Sequence, residues 1–218
     1  MGPKEAMTTP PPDLTLRPAL DALAARDADF ARAYASCGLP PVRRQLPGFA
    51  GLLKIITAQQ VSAASARAII GRLDKSVRQL TPRAFLELSD DELRAIGFSR
   101  AKMRYGRALA EAVLRKEIDF AAVEALDDEA AVAHLTAAVG VGRWSAEVYL
   151  LFALQRPDIW PVGDLAVRVA AQRLKALPAQ PTRSEMEALG EPWRPYRSAA
   201  ARFLWHFYRH PGVPLGDE

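Results

Sequence analysis

Cysteine and histidine are both scarce in this sequence of 218 residues, which contains Cys37 and three histidines, His134, His206 and His210. A single cysteine cannot form an intramolecular disulfide. Four scattered residues of these two kinds also provide no ligand set for structural zinc or for a cysteine-ligated iron–sulfur cluster. We therefore expect a protein of a reducing compartment, and we assign neither catalysis nor metal binding to these four residues.

Long apolar runs are missing as well. No segment approaches the ~18 consecutive apolar residues that a membrane span needs, and the N-terminal MGPKEAMTTPPPD lacks the apolar core of a signal peptide. Residues 1–12 carry four prolines in a polar stretch and are expected to form a disordered tail. The expected location is the cytoplasm, with the nucleoid if the source is bacterial, and we expect neither secretion nor a membrane partner.

Apolar residues and arginine, in contrast, are plentiful. Half of the residues are hydrophobic, which is enough for the core of one domain or of two joined lobes. The formal net charge is +4, and 23 of the 29 basic residues are arginine. Because the planar donor fork of arginine suits phosphate, this composition favours a nucleic-acid partner, although most surface arginines are simply solvated.

From Leu14 onward the apolar spacing is helical and is interrupted by proline and glycine, which predicts an all-α protein of roughly ten helices. One helix is predicted over residues 14–36. A second is predicted over 49–73, where Gln60 interrupts an apolar face. Ser99 is predicted to cap a basic helix. The basic residues predicted to be exposed on it are Arg100, Lys102, Arg104 and Arg107.

Two helices joined by Gly-Val-Gly are predicted in the segment 127–155. Asp127 can cap the first helix, which reaches about residue 138, and the second runs from Arg143 to Gln155. The VYLLFAL run makes the second helix apolar on nearly every side, so we expect it to be buried. Glycines in such a turn let a ligand approach the main chain, and an anion such as a DNA phosphate fits the following helix start. The simpler alternative is that the glycines only turn the chain.

The segments LTAAVGVGRWSAEVYLLFAL and DIWPVGDLAVR together resemble the helix-hairpin-helix (HhH-GPD) DNA glycosylase superfamily, in its 3-methyladenine DNA glycosylase II branch. The family pattern is L-x-x-x-x-G-[VI]-G-x-[WK]-[ST]-A, with an aspartate twenty positions after the tryptophan or lysine. Here Trp144 and Asp164 have this spacing. The segments ITAQQVS, LRAIGFSRAKMRY and WRPYRSAAARFLW match as well, so the resemblance covers about residues 47–208.

The resemblance implies that Asp164 is catalytic, because a fixed carboxylate stabilises the positive charge that develops on the sugar during base excision. Taken alone, Asp164 is better interpreted as an N-cap with Arg168 as an ion-pair partner, and the two interpretations do not exclude each other. Trp144 stands where the lyase-active branch has a nucleophilic lysine. A tryptophan cannot form a Schiff base, so we expect a monofunctional enzyme that leaves the DNA backbone intact.

By the same resemblance, Trp144, Trp205 and Tyr149 are candidates for the pocket that holds a flipped base. A member of this family has a pocket tyrosine at the position of Val148. The sequence therefore leaves the shape of this pocket undetermined. Trp160, Trp193 and Tyr196 are further aromatic candidates, although core packing suits each of them better. Gln59 and Gln60 correspond to the segment that enters the DNA helix, with Gln60 at the wedge position, or they form a buried amide link between helices.

The resemblance also implies DNA binding by the hairpin, through Gly140, Val141, Gly142 and Arg143. It implies a monovalent cation, Na⁺ or K⁺, held by the main-chain carbonyls of Thr136, Ala138 and Val141. No other cofactor is expected. The implied partner is double-stranded DNA that contains alkylated bases, bound by a monomer.

The implied fold has two helical lobes with the active-site cleft between them. One lobe combines residues 13–47 and 161–210, and the other spans 48–160 and includes the hairpin at about 127–155. Residues 211–218 form a C-terminal tail.

Three functions compete at this stage. The first is a monofunctional glycosylase for alkylated purines such as 3-methyladenine and 7-methylguanine, or for another range of lesions. The second is a non-catalytic helix-hairpin-helix DNA-binding protein. The third, a lyase-active glycosylase for oxidised bases, is disfavoured by Trp144 and by the lack of a cysteine cluster.

Overall fold

The structure is a computed structural model that describes residues 11–210. Within this range the chain forms thirteen α-helices and two short 3-10 helices, and its extended backbone pairs only in an isolated bridge between Pro12 and Pro41. The predicted all-α class is confirmed. The α-helices are α1 (Arg17–Arg26), α2 (Ala28–Cys37), α3 (Gly48–Ala58), α4 (Ala63–Ser76), α5 (Pro82–Glu87), α6 (Asp90–Ile96), α7 (Arg100–Leu114), α8 (Phe120–Ala125), α9 (Asp128–Thr136), α10 (Arg143–Phe152), α11 (Leu165–Leu174), α12 (Arg183–Gly190) and α13 (Arg197–Tyr208), and the 3-10 helices are Leu14–Leu16 and Glu191–Trp193.

Most of these helices begin at a side chain that caps their free N–H groups. Ser99 caps α7 and Asp127 caps α9, as the sequence predicted. Ser89 and Thr182 form complete capping boxes at α6 and α12. Short polar residues therefore recur along the chain, and each of them starts a new helix, so many of the helices are short.

Two predicted helices are interrupted in the structure. The helix expected over residues 14–36 breaks at Asp27, whose carboxylate accepts from the N–H groups of Asp29 and Phe30 and so starts α2. The helix expected over 49–73 ends at Ala58, and a loop of four residues precedes α4. Gln60 therefore lies in this loop, with φ +53°, and the prediction that it interrupts a helical apolar face was wrong.

The described residues divide into two compact units. The terminal unit consists of residues 11–44 and 156–210, and the central unit consists of residues 45–155. In the terminal unit α13 packs against α11, α1 and α2. Phe30 lies at the centre of its core, with ring centroids 4.7 Å from Phe203 and 5.9 Å from Trp193.

The central unit is built around α3 and α10, which pack against each other. Helix α3 also contacts α4 and α7, and α10 contacts α9. Residues 145–152 of α10 are all buried, which confirms the burial expected from the VYLLFAL run. Helix α10 ends at Phe152 rather than at the predicted Gln155.

Residues 1–10 of the predicted N-terminal tail and the whole predicted C-terminal tail, residues 211–218, lie outside the described residues. Pro11 and Pro12, the last two residues of the predicted N-terminal tail, are placed: the Pro11 carbonyl accepts from the Val42 N–H at 2.8 Å. Across residues 11–210, no helix is both long and apolar enough to cross a membrane, and no group of three acidic, histidine or cysteine side chains could hold a metal ion.

Candidate functional site

Asp164 is a buried carboxylate at the start of α11, with an exposed fraction of 8 %. Its Oδ1 atom accepts two hydrogen bonds, from the Val167 N–H at 2.9 Å and from the Trp205 indole N–H at 3.0 Å. The first bond confirms Asp164 as an N-cap. Because two donors from fixed positions bind the same oxygen, they fix the direction of the Asp164 carboxylate.

Arg168, the alternative partner of Asp164, points elsewhere: its Nε donates to the Pro181 carbonyl at 2.9 Å. The cation that faces Asp164 is Arg43, which the sequence did not single out. The Arg43 guanidinium carbon lies 5.9 Å from the centroid of the Trp205 ring. Although Arg43 as a whole is exposed, loss of water around its guanidinium lowers its pKa, Arg209 and Arg202 lower it further, and the Asp164 carboxylate opposes this effect.

The other aromatic candidates of the terminal unit have packing roles. Trp160 and Trp193 are buried with ring centroids 5.4 Å apart, and their indole N–H groups donate to the Met186 carbonyl and to Asp27. Tyr196 lies under the Arg26 guanidinium. Core packing is therefore confirmed for the two tryptophans, and Trp205 is the tryptophan that touches Asp164.

The predicted hairpin in the central unit is confirmed, with α9 and α10 joined by residues 137–142. The two glycines of the connecting turn, Gly140 and Gly142, are present for different structural reasons. Gly140 has φ +89°, and a Cβ atom there would lie 2.2 Å from Cγ of Tyr105. The turn itself thus requires glycine at position 140.

Gly142 has no such internal requirement. Its backbone is extended, with φ −84° and ψ 167°, and a Cβ atom there would meet nothing within 4 Å. Gly142 is the N-cap residue of α10 and provides no side chain to cap it, in contrast to the Ser, Thr and Asp caps elsewhere. The start of α10 therefore combines main-chain N–H donors with open space on the main chain, which suits a close anionic ligand.

Arg143 and Val141, both predicted to bind DNA, form hydrogen bonds within the hairpin. The Arg143 guanidinium donates to Glu129 at 2.5 and 2.9 Å and to Glu147 at 2.8 Å. Hydrogen bonding to Glu129 in particular raises the pKa of Arg143. The Val141 N–H donates to the Ala138 carbonyl at 3.1 Å. The Arg143 guanidinium and the Val141 N–H thus stabilise the hairpin itself, and DNA binding by these two residues stays a prediction.

Trp144 and Tyr149, both predicted to line the base pocket, differ in exposure. Trp144 lies in the first turn of α10 and is 36 % exposed. Tyr149 is 1 % exposed, stacks obliquely on Phe120 with centroids 5.6 Å apart, and accepts the Gly48 N–H on its hydroxyl at 2.7 Å. The structure gives Tyr149 a packing role, so the sequence wrongly placed it in the base pocket.

Gln59 and Gln60 also differ, although they are neighbours. The Gln59 amide donates to the Ser145 hydroxyl at 2.7 Å and to the Gly140 carbonyl at 3.4 Å, so it joins the end of α3 to the hairpin. This is the amide link between helices that the sequence left open as an alternative, although Gln59 is only partly buried. Gln60 is exposed and forms no hydrogen bond among the described residues. Of the two, only Gln60 is available to a ligand.

A groove of about 470 Å³ runs along α6 and α7. It is lined by Asp90, Arg94, Arg100, Met103, Arg104, Arg107, Ala108 and Glu111. Arg107 is held by the Leu86 and Leu88 carbonyls, whereas Arg100 is exposed and forms no ion pair among residues 11–210. Lys102 was predicted on this basic surface but is buried, at 9 % exposure, and points to α3.

The family model described as "HhH-GPD superfamily base excision DNA repair protein" matches residues 53–195, which is more than half of the chain. The chain belongs to the HhH-GPD superfamily.

The relatives found within the HhH-GPD superfamily agree with this assignment. The Schizosaccharomyces pombe alkylbase DNA glycosidase-like protein mag2 is 32 % identical over 174 residues, which are 78 % of this chain and 81 % of that protein. The solved structure of S. pombe 3-methyladenine DNA glycosylase Mag1, in complex with abasic DNA, is 30 % identical with a TM-score of 0.79 and covers 86 % of this chain and 95 % of that one. A DNA-3-methyladenine glycosidase structure from Bacillus halodurans is 29 % identical, with a TM-score of 0.75 and coverage of 86 % and 88 %.

The resemblance to the HhH-GPD superfamily implies a monovalent cation at the main-chain carbonyls of the hairpin. The Thr136 carbonyl belongs to the last turn of α9, where carbonyls lack intrahelical partners. The Ala138 carbonyl accepts from Val141 but has a second lone pair. Neutral carbonyl oxygens at a helix C-terminus suit a monovalent cation, so these residues fit such an ion.

From the sequence we missed Arg43, which faces Asp164, and wrongly expected Lys102 to be exposed, whereas it is buried and binds the Thr57 carbonyl at the end of α3. Arg43 lies in an irregular segment with no periodicity to place it. Lys102 lies just after the N-cap of α7, where a lysine is usually exposed to solvent. No sequence pattern indicates that the end of α3 lies next to it.

Proposed function

We propose that this member of the HhH-GPD superfamily is a monofunctional DNA glycosylase that removes alkylated purines from duplex DNA and leaves an abasic site. The observation that carries the proposal is Asp164, a buried carboxylate fixed by the start of α11 and by the Trp205 indole. A protein that only binds DNA has no need for an oriented anion beside an aromatic ring.

In this proposal Asp164 acts on the sugar. When the bond between C1′ and the purine nitrogen breaks, its electron pair leaves with the base and positive charge develops on the sugar ring. A carboxylate with fixed geometry stabilises that charge without having to reorganise. Water then bonds to C1′ on the way to the abasic product, and Asp164 orients this water or accepts its proton.

The substrate class follows from the charge of the base. A purine methylated at N3 or N7 carries a formal positive charge and leaves as a neutral molecule, so it needs no strong general acid. An electron-rich indole attracts such a cation, and Trp205 lies directly beside Asp164. Arg43 competes for the Trp205 ring, so we expect the guanidinium to shift when a cationic base binds.

The proposed reaction ends at base release. Strand cleavage by a glycosylase needs an amine that attacks C1′ and forms a Schiff base, and Trp144 has none. Trp144 is exposed enough to offer an aromatic face to a ligand instead.

We infer that DNA is held by the main chain at the start of α10 and by the exposed Gln60. Gly142 leaves room for a phosphate oxygen to approach, and the hairpin then positions the protein without reading sequence. In this proposal Gln60 fills the gap left by an extruded nucleotide and bonds the orphaned base, and its exposure supports this role.

A monovalent cation held by the carbonyls of Thr136, Ala138 and Val141 would add positive charge beside that phosphate. The proposed chemistry needs no other cofactor, because a carboxylate and water suffice. We further infer that the protein acts as a monomer in the compartment that contains DNA.

The test is an assay of base release. Duplex DNA treated with a methylating agent is incubated with the protein, and released 3-methyladenine and 7-methylguanine are measured by chromatography. A labelled duplex from the same treatment is examined for strand breaks before and after alkali.

The proposal expects free methylated purine, with breaks that appear only after alkali. Tight binding without release of any base would instead identify a DNA-binding protein without catalysis. Breaks before alkali would identify a lyase.

A further inference from the structure

Lys102 is a buried lysine without an acidic partner. Its exposed fraction is 9 %, and it forms no ion pair among residues 11–210. Burial lowers the pKa of its ammonium group. Burying a charge without a counter-charge is costly, whereas an apolar side chain of similar length would fill the same space without that cost. A lysine at this position must therefore be explained by what its ammonium group contacts.

The single bond formed by the Lys102 ammonium group is to the end of another helix. Nζ donates to the Thr57 carbonyl at 2.7 Å. Thr57 is the penultimate residue of α3, where carbonyls lack intrahelical partners and carry the negative end of the helix dipole. A buried cation at this point binds the last turn of α3 to the first turn of α7.

The loop that follows this turn is strained. Gln60 has φ +53°, a left-handed conformation that is unfavourable for any residue other than glycine. Such a conformation persists only where the surrounding structure imposes it. Around Gln60 the loop is fixed on both sides: Gln59 bonds to Ser145 of the hairpin, and Ser62 caps α4 through the Ser65 N–H.

We propose that Lys102 is a positioning residue for Gln60: by anchoring the end of α3 it holds the loop in the conformation that presents Gln60 to DNA. This inference rests on the proposed function, in which Gln60 enters the space of the flipped nucleotide. Lys102 itself touches neither the base nor the sugar.

The first experiment compares Lys102→Met with wild type on a duplex that carries a tetrahydrofuran abasic-site analogue opposite 2-aminopurine. The fluorescence of 2-aminopurine reports whether a side chain occupies the gap, and its titration gives the affinity. Lys102→Met is expected to lose most of the fluorescence change at saturation and to bind about tenfold more weakly. Lys102→Arg keeps the cation and is expected to retain most of the signal.

A matched control is Lys54→Met. Lys54 also belongs to the central unit and binds Asp74 on the neighbouring α4 at 2.9 Å, but it does not contact the loop. Its fluorescence change and affinity are expected to stay within about twofold of wild type.

A double-mutant cycle separates positioning from a general loss of structure. If Lys102 acts through Gln60, the double variant Lys102→Met/Gln60→Ala binds no more weakly than Gln60→Ala alone. Additive losses, or a wild-type fluorescence change in Lys102→Met, would overturn the proposal. Should Lys102→Met fail to fold, Lys102→Gln, which still donates but carries no charge, replaces it in the cycle with the same criteria.

The proposed function fails independently of this inference. A wild-type protein that gives the fluorescence change but releases no methylated purine contradicts the glycosylase assignment and leaves the role of Lys102 in place. A wild-type protein that releases the base, with Lys102→Met giving an unchanged fluorescence response, contradicts only the role of Lys102.

Discussion

Single residues at this site serve the fold and the proposed chemistry together. Asp164 caps α11 and is also the anion proposed to face the sugar. Gln59, in contrast, is used up by its bonds to the hairpin, and Arg143 by its two glutamates. Side chains without intramolecular bonds can contact DNA, whereas side chains such as those of Gln59 and Arg143 stabilise the site.

Asp164→Asn tests the carboxylate. The amide oxygen can still accept from the Val167 N–H, so α11 keeps its cap, but the negative charge is lost. We expect base release to fall by at least about a hundredfold, while affinity for a duplex with an abasic-site analogue stays within a few-fold. Single-turnover kinetics and a binding titration measure the two effects, and a variant with wild-type turnover would remove Asp164 from catalysis.

The roles of Asp164 and Trp205 come from the family resemblance and stay predictions. The residue types and their spacing were sufficient to predict the N-cap at Asp164 and the glycine turn of the hairpin. They were not sufficient for Tyr149, whose hydroxyl is used by the Gly48 N–H, because that partner lies about a hundred positions away and no local pattern indicates it. Arg43 was missed and Lys102 was wrongly expected to be exposed for the same physical reason: what a charged side chain faces depends on distant parts of the chain.

At the scale of elements, the hairpin shows two glycines with opposite reasons for being small. The fold requires a glycine at position 140, whereas it has space for a side chain at position 142. This difference permits an experiment in which stability and DNA binding change in opposite directions.

Gly142→Ser places a capping hydroxyl at the start of α10 and fills the space beside its N–H groups. We expect the free energy of unfolding to stay unchanged or to rise by about 0.5 kcal/mol, because serine is a better N-cap than glycine. Affinity for duplex DNA should fall about tenfold, since the hydroxyl occupies the place of the phosphate. Urea unfolding and a fluorescence binding titration measure the two quantities.

Gly140→Ala is the control on the other glycine. Its Cβ would clash with the Tyr105 ring in a left-handed conformation, so the variant should lose about 1–3 kcal/mol of stability. Equal effects of the two substitutions on stability would contradict the separate roles.

The helices themselves were predictable where capping residues and apolar spacing agree, as at Ser99, Asp127 and Asp164. The breaks at Asp27 and after Ala58 were not, because the local helical spacing continues through both. At Asp27 tertiary partners decide: the carboxylate also accepts from Lys175 at 2.7 Å and from the Trp193 indole at 2.9 Å.

At the scale of the whole molecule, this cluster around Asp27 joins the two segments of the terminal unit. Burial alone would raise the pKa of Asp27, but the bonds from Lys175, Trp193 and the Phe30 N–H outweigh it, so the pKa is lowered. A lowered pKa means that the folded state favours the ionised form. Its contribution to stability is therefore present above the ordinary Asp value of about 3.9 and is lost as the pH falls through the folded-state pKa.

Asp27→Asn should accordingly lower the free energy of unfolding by about 1.5–3 kcal/mol at pH 7. Below the ordinary Asp pKa, the difference between the variant and wild type should shrink, because the unfolded wild-type chain then binds a proton that the folded protein does not. The charge-dependent part is lost completely only below the lowered folded-state pKa. Urea unfolding of both proteins at pH 7 and near pH 3 measures it. A difference that does not depend on pH would mean that the charge of Asp27 is not what matters.

The basic character of the molecule gives a second prediction at this scale. Arg100 lines the groove on α6 and α7 and has no ion-pair partner among the described residues, so it is available to a DNA phosphate. Arg100→Gln should reduce the slope of log affinity against log salt concentration by about 1.

Arg115→Gln removes the same charge from the other end of α7, where Arg115 binds Glu117 and Glu111. Its salt dependence should match that of wild type. Equal slopes for all three proteins would show that DNA does not reach the groove.

The discontinuity of the terminal unit also bears on how the protein is made. On the ribosome, residues 11–44 emerge first, yet the helices they pack against, α11 and α13, follow only after the entire central unit has been synthesised. The central unit can thus acquire its structure during translation, whereas Asp164 and Trp205 are encoded in the late segment. Nascent chains stalled before α13 should therefore contain a folded hairpin while the carboxylate of the proposed reaction still lacks its indole partner.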